Sequence, residues 1–421
     1  MTHVVVVGGG VAGTAAALAA AQGGARVTLV NGGIGASVLA GGALDDVPWE
    51  EKDASAEPTG LEETARAVLD ALAGYAVGES RALVAATTGL VRPARGVDRA
   101  LLDLASLESP VVLVPELAHG AWDAPVLART WTASRRAVAL GLRFVPVAAS
   151  LLARSEEHAF TGAELAGLHD DPVRLDWLAD RIREARAAFA GDVGAMILPP
   201  WLGVAHERAT ALSASVGFRC GEALGGVGGP SGLRFEHARD RALTAAGVTI
   251  LYGRAARVTA GAAGAARSLD GAWSVEVAGR DEPLGCDAVV LATGGLLGGG
   301  LEYSPSASLF ANALPDHPGP LLRVTCEAPV TIGAFGRALV DPSSLFGAAP
   351  ETHAWPHTET PLLDHAGVMV GATGEVAGAT TGLYATGELA AGPAHTWLAA
   401  LAHGARAGTA ALVTGAPRRI S

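Results

Sequence analysis

The stretch that decides the fold is HVVVVGGGVAG, at residues 3–13. Its β-branched run at residues 3–7 predicts a strand buried on both faces, as strands of parallel sheets are. The alanine-rich residues 12–22 predict a helix that Gly23 and Gly24 end, and residues 25–30 predict a second strand. Together these segments form a predicted βαβ unit.

The turn between this strand and helix has three glycines, Gly8, Gly10 and Gly13, with the spacing of the dinucleotide-binding fingerprint. The first glycine permits a tight turn, the second lets a pyrophosphate approach the backbone, and the third lets the helix pack on the strand. The helix N-terminus, at Val11 and Ala12, adds N–H groups and a positive dipole end. We expect these five residues to bind a cofactor.

The second strand ends at Val30 and Asn31, where the fingerprint normally has an acidic residue that contacts the adenosine ribose. Asn31 can donate or accept a hydrogen bond there, but not a charge-assisted one. We predict that Asn31 contacts the cofactor. Because the acidic residue is missing, the sequence leaves a mononucleotide open beside a dinucleotide.

Composition excludes several functional classes. The formal net charge of −12 gives no electrostatic footprint for nucleic acid and no polybasic membrane surface. The cysteines, Cys220, Cys286 and Cys326, are too far apart in sequence to indicate a disulfide framework, a metal site or an iron–sulfur cluster. The sequence shows neither a signal peptide nor an apolar stretch typical of a membrane span. We therefore expect a cytoplasmic protein without a metal site.

Further apolar runs predict the rest of an α/β fold. Strands are predicted at residues 111–115, 142–147, 195–198, 248–252, 256–259, 273–277, 287–291 and 382–384. Helices are predicted at residues 61–73, 124–140, 172–190, 233–246 and 398–413. The acidic pairs at residues 45–46 and 170–171 are predicted to be solvated loop carboxylates.

Two of these strands end in similar turns, DAVVLATGG at residues 287–295 and GLYATGE at residues 382–388. The pair resembles the two motifs of flavoproteins with two dinucleotide-binding folds, in which the acidic residue of the second motif holds the ribitol. That resemblance implies a Rossmann-like FAD-binding domain, with Glu388 at the ribitol. The remaining cofactor contacts that it implies are Ala292, Thr293, Gly294, Gly387, Leu398 and Ala399.

Other stretches extend the resemblance. Residues 35–42 resemble the flavin-side loop of fumarate-reductase-like members, which implies that Ser37, Gly41 and Gly42 lie near the pyrophosphate or the flavin. Val258 resembles the residue whose backbone contacts the adenine. Residues 404–408 resemble the end of the C-terminal motif. The implied cofactor is FAD, with FMN as the alternative.

Nearly the whole chain resembles the second subunit of the anaerobic glycerol-3-phosphate dehydrogenase family. The stretches that carry this resemblance are residues 42–45, 195–203, 224–232 and 291–301, whereas residues 392–398 depart from a glycine-richer family stretch. The family implies an oxidoreductase in a membrane-peripheral complex that passes electrons to quinone. Its partners would be a catalytic flavoprotein and an iron–sulfur subunit, and its substrate a small molecule.

The expected architecture has two domains. Residues 1–90, 226–301 and 362–421 are assigned to a discontinuous flavin-binding domain. Residues 91–225, together with 302–361, are assigned to an inserted α/β cap or substrate domain.

A dehydrogenase reaction needs a base, because the alcohol loses its hydroxyl proton as hydride passes to the flavin. His395, close to the C-terminal flavin motif, is the candidate catalytic residue. His403, His353, His357 and Arg323 are weaker candidates. Two other functions stay open: a fumarate-reductase-like enzyme acting on another small acid, and a scaffold subunit that transfers no hydride.

Overall fold

The computed structural model describes residues 1–46, 61–260, 272–295, 298–300, 302–305, 322–325, 331–332, 367–368, 370–377, 379, 381–390 and 396–414. The chain forms two compact units. The first unit comprises residues 1–36, 61–71 and 242–421, and the second comprises residues 37–60 and 72–241. The predicted mixed α/β fold with a Rossmann-like sheet is confirmed.

Strands and helices alternate along most of the chain. The strands are β1 (His3–Val7), β2 (Arg26–Asn31), β3 (Ala43–Leu44), β4 (Tyr75–Ala85), β5 (Val91–Asp98), β6 (Val111–Glu116), β7 (Arg143–Ala148), β8 (Ala195–Leu198), β9 (Arg219–Glu222), β10 (Thr249–Tyr252), β11 (Ala255–Ala260), β12 (Trp273–Val277), β13 (Leu284–Cys286), β14 (Ala288–Leu291), β15 (Glu302–Pro305), β16 (Leu322–Thr325), β17 (Thr331–Ile332) and β18 (Leu383–Ala385). The helices are α1 (Val11–Gln22), α2 (Glu63–Leu72), α3 (Ala124–Ala133), α4 (Arg135–Ala139), α5 (Gly162–Leu168), α6 (Pro172–Ala187), α7 (Ala209–Val216), α8 (Pro230–Ala245) and α9 (Trp397–Thr414).

The first unit is built around a parallel sheet with the strand order β10-β2-β1-β14-β18. Strand β1 pairs with β2 on one side and with β14 on the other, and all five of its residues are buried. The predicted βαβ unit is therefore present, with its valines at the centre of the sheet. Because the strands are parallel, the turns after β1, β14 and β18 meet at one edge of the sheet.

Helices α1 and α9 pack closely in the same unit. A Cβ atom added at Gly404 would lie 2.1 Å from the Ala12 carbonyl oxygen, and one added at Gly408 would lie 2.2 Å from the Ala16 carbonyl oxygen. Glycines four residues apart thus face alanines four residues apart, on one face of each helix. This close approach fixes the start of α1 against α9.

A second sheet of the first unit has the order β13-β12-β11-β17. Strand β11 lies inside this sheet, and Val258 pairs with Val275 of β12 and with Ile332 of β17. Val258 and Trp273 belong to a buried apolar cluster that also includes valines of β1 and β14.

The second unit contains a parallel sheet with the order β7-β6-β8-β9. Val112 and Val114 of β6 belong to the apolar cluster that includes α3, whereas Val111 and Leu113 belong to the cluster that includes α6 and α7. Alternate residues of a strand point to opposite faces. Helices therefore cover both faces of this sheet.

The second unit also contains an antiparallel sheet with the order β3-β5-β4. Strands β4 and β5 pair along residues 75–98, where the sequence predicts no strand. Residues 72–90 belong to the second unit of the structure, whereas the division predicted from the sequence assigns them to the flavin-binding domain.

The acidic pairs are not simple solvated carboxylates. Asp45 lies 3.1 Å from Arg92, and Asp46 lies 2.6 Å from Arg81. Asp170 accepts hydrogen bonds from the backbone N–H groups of residues 204 and 205, and Asp171 caps α6. The prediction is wrong for Asp45, Asp46 and Asp170, because their partners lie far away in the sequence. Asp171 is exposed, and its partner is the N–H group two residues further on.

Candidate functional site

The glycine turn after β1 allows a contact between backbones that a side chain would prevent. Gly8 has a φ of +116°, and a Cβ atom added there would lie 2.1 Å from the Ala292 carbonyl oxygen. A Cβ atom at Gly13 would lie 1.9 Å from the Gly8 carbonyl oxygen. The turn after β1 therefore lies directly against the turn after β14, and the start of α1 lies against both.

The start of α1 has the electrostatics of an anion site. Gly10 is extended at the N-cap, no side chain caps the helix, and its first turn contains no acidic residue. The positive end of the helix dipole, at Val11 and Ala12, is therefore not offset by a side chain of its own first turn. Such an end favours a phosphate group.

Asn31 ends β2 beside this turn and is 4% exposed. Its Oδ1 accepts a hydrogen bond from the Gly33 N–H at 3.3 Å, and a Cβ atom at Gly9 would lie 2.6 Å from the same oxygen. The amide therefore packs over the fingerprint turn and holds the loop that follows β2.

Two threonine hydroxyls lie at the carboxyl ends of the neighbouring strands β14 and β18. Within the part of the chain that the structure describes, the buried Oγ1 atoms of Thr293 and Thr386 have no hydrogen-bond partner. An unsatisfied buried polar group costs about 1–3 kcal/mol. Thr386 is not among the contacts predicted from the sequence, although the Ala-Thr-Gly triplet at residues 292–294 repeats at residues 385–387.

Glu388 lies in a short 3₁₀ turn, Gly387–Leu389, directly after β18. Gly387 has a φ of +69°, and a Cβ atom there would lie 2.7 Å from Ala12 Cβ. A Cβ atom at Gly295 would lie 3.0 Å from Glu388 Oε2. The acidic side chain therefore lies at the turn after β14, close to the start of α1.

Helix α9 contacts this 3₁₀ turn. Leu398 is 2% exposed and Ala399 is half-buried. Thr396 Oγ1 accepts a hydrogen bond from the Ala399 N–H at 3.3 Å. The structure thus brings together at one sheet edge most of the predicted contacts of the first unit: Gly8, Gly10, Val11, Ala12, Gly13, Ala292, Thr293, Gly294, Gly387 and Glu388.

The other predicted contacts lie elsewhere. Val258 is fully buried inside the four-stranded sheet. Ser37, Gly41 and Gly42 belong to the second unit, where Gly41 and Gly42 have φ values of +62° and +99°.

Most of the catalytic candidates lie outside the part of the chain that the structure describes. His395, His353 and His357 lie outside the described residues, as does the side chain of Arg323. His403 is half-buried on α9. Burial lowers the pKa of His403, and Arg406 lowers it further while Glu62 opposes the change.

Gly8, Gly10 and Gly13 with the start of α1 form a glycine cradle, and comparison with a family model indicates what it holds. Residues 3–90 match the family described as FAD binding domain. This match covers about a fifth of the chain. FAD is its cofactor, and the glycine cradle and the two unsatisfied hydroxyls of the first unit fit such a ligand. When bound, FAD would supply redox chemistry.

Several solved structures are similar to this chain at low sequence identity. A flavocytochrome c3 fumarate reductase in its open conformation is 15% identical, with a TM-score of 0.35, and the match covers 99% of this chain and 79% of that one. The Mycobacterium smegmatis Sdh1 complex in the apo form is 13% identical, with a TM-score of 0.32, and the match covers 99% of this chain and 69% of that one. A 3-ketosteroid Δ1-dehydrogenase from Sterolibacterium denitrificans is 16% identical, with a TM-score of 0.27. The match covers 70% of this chain and 48% of that one, so it spans about half of that protein. No curated protein matches the sequence.

Two other kinds of site are not found in the described part of the FAD-binding protein. No group of three or more His, Cys, Asp or Glu side chains there could hold a metal ion. No helix within the same residues is both long and apolar enough to cross a bilayer.

Proposed function

We propose that this chain is a flavin-dependent dehydrogenase subunit similar to the second subunit of the anaerobic glycerol-3-phosphate dehydrogenase family. It oxidises glycerol 3-phosphate or relays its electrons towards quinone, together with a catalytic flavoprotein and an iron–sulfur subunit. The observation that supports a flavin role most strongly is the meeting of the three strand-end turns around the start of α1. The proposed location is the cytoplasm, with a partner subunit holding the complex on the inner face of the membrane.

The residues of the first unit divide the work of holding FAD. The glycines at residues 8, 10 and 13 and the start of α1 hold the pyrophosphate, while Asn31 contacts the ribose and Val258 the adenine. Glu388 accepts hydrogen bonds from the ribitol hydroxyls. Thr293 and its neighbours Ala292 and Gly294 contact the flavin half, with Leu398 and Ala399 near the ring. When bound there, FAD would supply the acceptor for the hydride of the substrate carbon.

The proton of the substrate hydroxyl needs a separate acceptor, and we assign it to His395. His395→Gln keeps a polar side chain but cannot act as a base at neutral pH. We expect this variant to retain FAD and lose substrate-dependent flavin reduction. His403→Gln makes the same change at the weaker candidate, which is half-buried on α9. Equal reduction rates in the two variants would remove His395 from the mechanism.

The substrate is tested by anaerobic addition of glycerol 3-phosphate to the purified, flavin-loaded chain. Bleaching of the flavin absorbance by this chain alone supports a catalytic role. Bleaching only when a partner flavoprotein is present supports electron relay. No bleaching in either case, with bleaching by another small acid such as succinate, overturns glycerol 3-phosphate as the substrate. A flavin that no donor reduces, even with the partner, leaves the scaffold function.

A further inference from the structure

Strand β10 ends directly beside β2, in the parallel sheet of the first unit. It lies at one end of the strand order β10-β2-β1-β14-β18. The register pairs Tyr252 with Asn31, and the Gly253 N–H donates to the Asn31 carbonyl oxygen at 3.0 Å. The last residues of the two strands are therefore neighbours at the carboxyl edge of the sheet, where open α/β sheets bind their ligands.

The surface beside Asn31 is apolar and exposed. In the part of the first unit that the structure describes, the exposed large apolar side chains are Met1, Ile34, Tyr252 and Val413. Two of them flank Asn31, since Ile34 follows β2 and Tyr252 ends β10, and these two are 74% and 72% exposed. Tyr252 thus presents an aromatic ring to solvent at the end of a strand.

The loop after β2 connects the end of β10 with the fingerprint turn. A Cβ atom added at Gly32 would lie 3.7 Å from the Gly253 carbonyl oxygen, and one added at Gly35 would lie 3.3 Å from Gly10 Cα. The turn after β1, the loop after β2 and the end of β10 therefore form one continuous edge within the first unit.

The covalent structure of FAD gives the order in which its groups follow this edge. In the adenosine half, the pyrophosphate is attached to C5′ of the ribose and the adenine to C1′, on opposite sides of the ring oxygen. With the pyrophosphate at the turn after β1 and the ribose at Asn31, the adenine continues away from β1. The next strand in that direction is β10, which ends in Tyr252.

The adenosine half lacks one of its usual contacts in this chain. A charge-assisted hydrogen bond is about twice as strong as a neutral one, and Asn31 provides only the neutral kind. Its Oδ1 atom already accepts a hydrogen bond from the Gly33 N–H. An aromatic ring supplies affinity of another kind, because every nucleobase has a π-face that stacks on it without any need for charge.

We propose that Tyr252 is the adenine platform of this chain, and that its ring stacks on the adenine of FAD. The contact supplies affinity for the adenosine half that the missing acidic residue does not. The inference rests on the proposed function only for the places of the pyrophosphate and the ribose, and it uses no property of the substrate. Tyr252 holds the half of FAD that takes no part in redox chemistry.

The test removes the ring and keeps an apolar side chain. Tyr252 is exposed, so Tyr252→Leu leaves the interior of the unit intact. We expect FAD to bind this variant about tenfold more weakly, as the loss of one stacked base predicts. Tyr252→Phe keeps the face of the ring and should bind FAD as wild type does. Fluorescence titration of the apoproteins with FAD measures the affinities.

The flavin reports whether the effect is confined to the adenine. In Tyr252→Leu saturated with FAD, the visible absorbance band of the flavin should keep its wild-type position and shape. A shifted band would show that the substitution disturbs the flavin half, which overturns the proposal. Val413→Ala is the matched control, because it also shortens an exposed apolar side chain of the first unit, and it should leave both affinity and spectrum unchanged.

Three further results would overturn the platform. They are wild-type affinity in Tyr252→Leu, an equal loss in Tyr252→Phe, which would assign the contact to the hydroxyl, and an equal loss in Val413→Ala. A folded wild-type chain that binds no FAD would overturn it together with the assigned cofactor. Failure of the proposed dehydrogenase function is distinct, because it appears as bound flavin that glycerol 3-phosphate does not reduce, with the weaker FAD binding of Tyr252→Leu still present.

Discussion

Strands of the two parallel sheets of this protein end in different kinds of residue. In the first unit, glycines follow β1, and β14 and β18 are followed by threonines whose buried hydroxyls have no partner among the described residues. In the second unit, β9 ends in Glu222, whose buried carboxylate is paired with Arg234. A strand end that pairs with charges of its own chain is complete by itself. A strand end with a glycine cradle and unsatisfied hydroxyls is suited to another molecule, here FAD.

Gly13→Ala should break the cradle of the first unit most severely. The added Cβ atom would lie 1.9 Å from the Gly8 carbonyl oxygen, so the backbone of the turn must move. We expect the loss of FAD from the purified protein and a fall of about 3 kcal/mol in the free energy of unfolding, at the upper end for overpacking. Absorbance at 450 nm and urea unfolding measure the two effects.

Gly120→Ala is the control for that variant, because a Cβ atom at Gly120 would have no atom within 4 Å. It should keep both FAD and stability. Retention of FAD by Gly13→Ala would show that the contact with Gly8 does not shape the cofactor site.

A buried histidine of the second unit should make the stability of the protein depend on pH. His169 is fully buried, and burial lowers the pKa of its imidazole to about 4. The unfolded chain takes up a proton as the pH falls through 6.5, but the folded chain does so only near pH 4. Stability is therefore lost over this interval, by about 3 kcal/mol at its lower end.

His169→Asn should remove this part of the pH dependence when urea unfolding is compared at pH 7 and pH 4.5. The exposed His158 is the control, and His158→Gln should retain the wild-type dependence. An unchanged difference between the two pH values in His169→Asn would contradict the buried neutral state.

Gly404→Ala tests how closely the helices that support the cradle must approach. The new methyl group would meet the Ala12 carbonyl oxygen, so α9 must move away from α1. We expect a loss of about 2 kcal/mol in the free energy of unfolding, within the range for overpacked interiors. Val413→Ala, at a residue that is 70% exposed on the same helix, should change stability by less than about 0.5 kcal/mol. Equal effects in the two variants would mean that the α1–α9 contact is not close.

Thr386→Val should have the smallest effect on stability, and it tests whether the hydroxyl at the end of β18 serves the cofactor. Removing a buried hydroxyl that has no partner among the described residues should stabilise the apoprotein by about 1 kcal/mol. The same change should weaken FAD binding. Thr28→Val is the control, since Thr28 Oγ1 lies 3.0 Å from His3 Nε2 and its loss should destabilise the protein. Destabilisation by both variants would indicate that the Thr386 hydroxyl already has a partner.

The sequence predicts the first unit better than the second. The predicted strand at residues 3–7 and helix at residues 12–22 are found as His3–Val7 and Val11–Gln22. A run of valines favours a buried strand, and an alanine-rich stretch favours a helix, so the local sequence is enough to predict both. Residues 91–98, VRPARGVD, do not look like a strand. They form one because β4 pairs with them, and such pairing is not visible in local periodicity. The predicted helix at residues 124–140 is divided at Ser134, which caps a separate α4.

The candidate site shows the same limit. The glycine spacing around Gly8 and the acidic residue at position 388 are local signals, so the sequence predicts them. Arg234 bonds both Asp98 and Glu222, and its hydrogen bond to Asp98 spans 136 residues of the sequence. Contacts of that separation depend on the assembled fold, so no pattern in the sequence predicts them.

The most direct measurement is the identity and amount of the cofactor released by denaturing the purified chain. The chain is expressed with riboflavin in the medium, and the protein-free supernatant is separated by chromatography against FAD and FMN. The account predicts FAD at close to one molecule per chain in wild type, and little in Gly13→Ala. FMN alone, or no flavin from a folded wild-type chain, would contradict it.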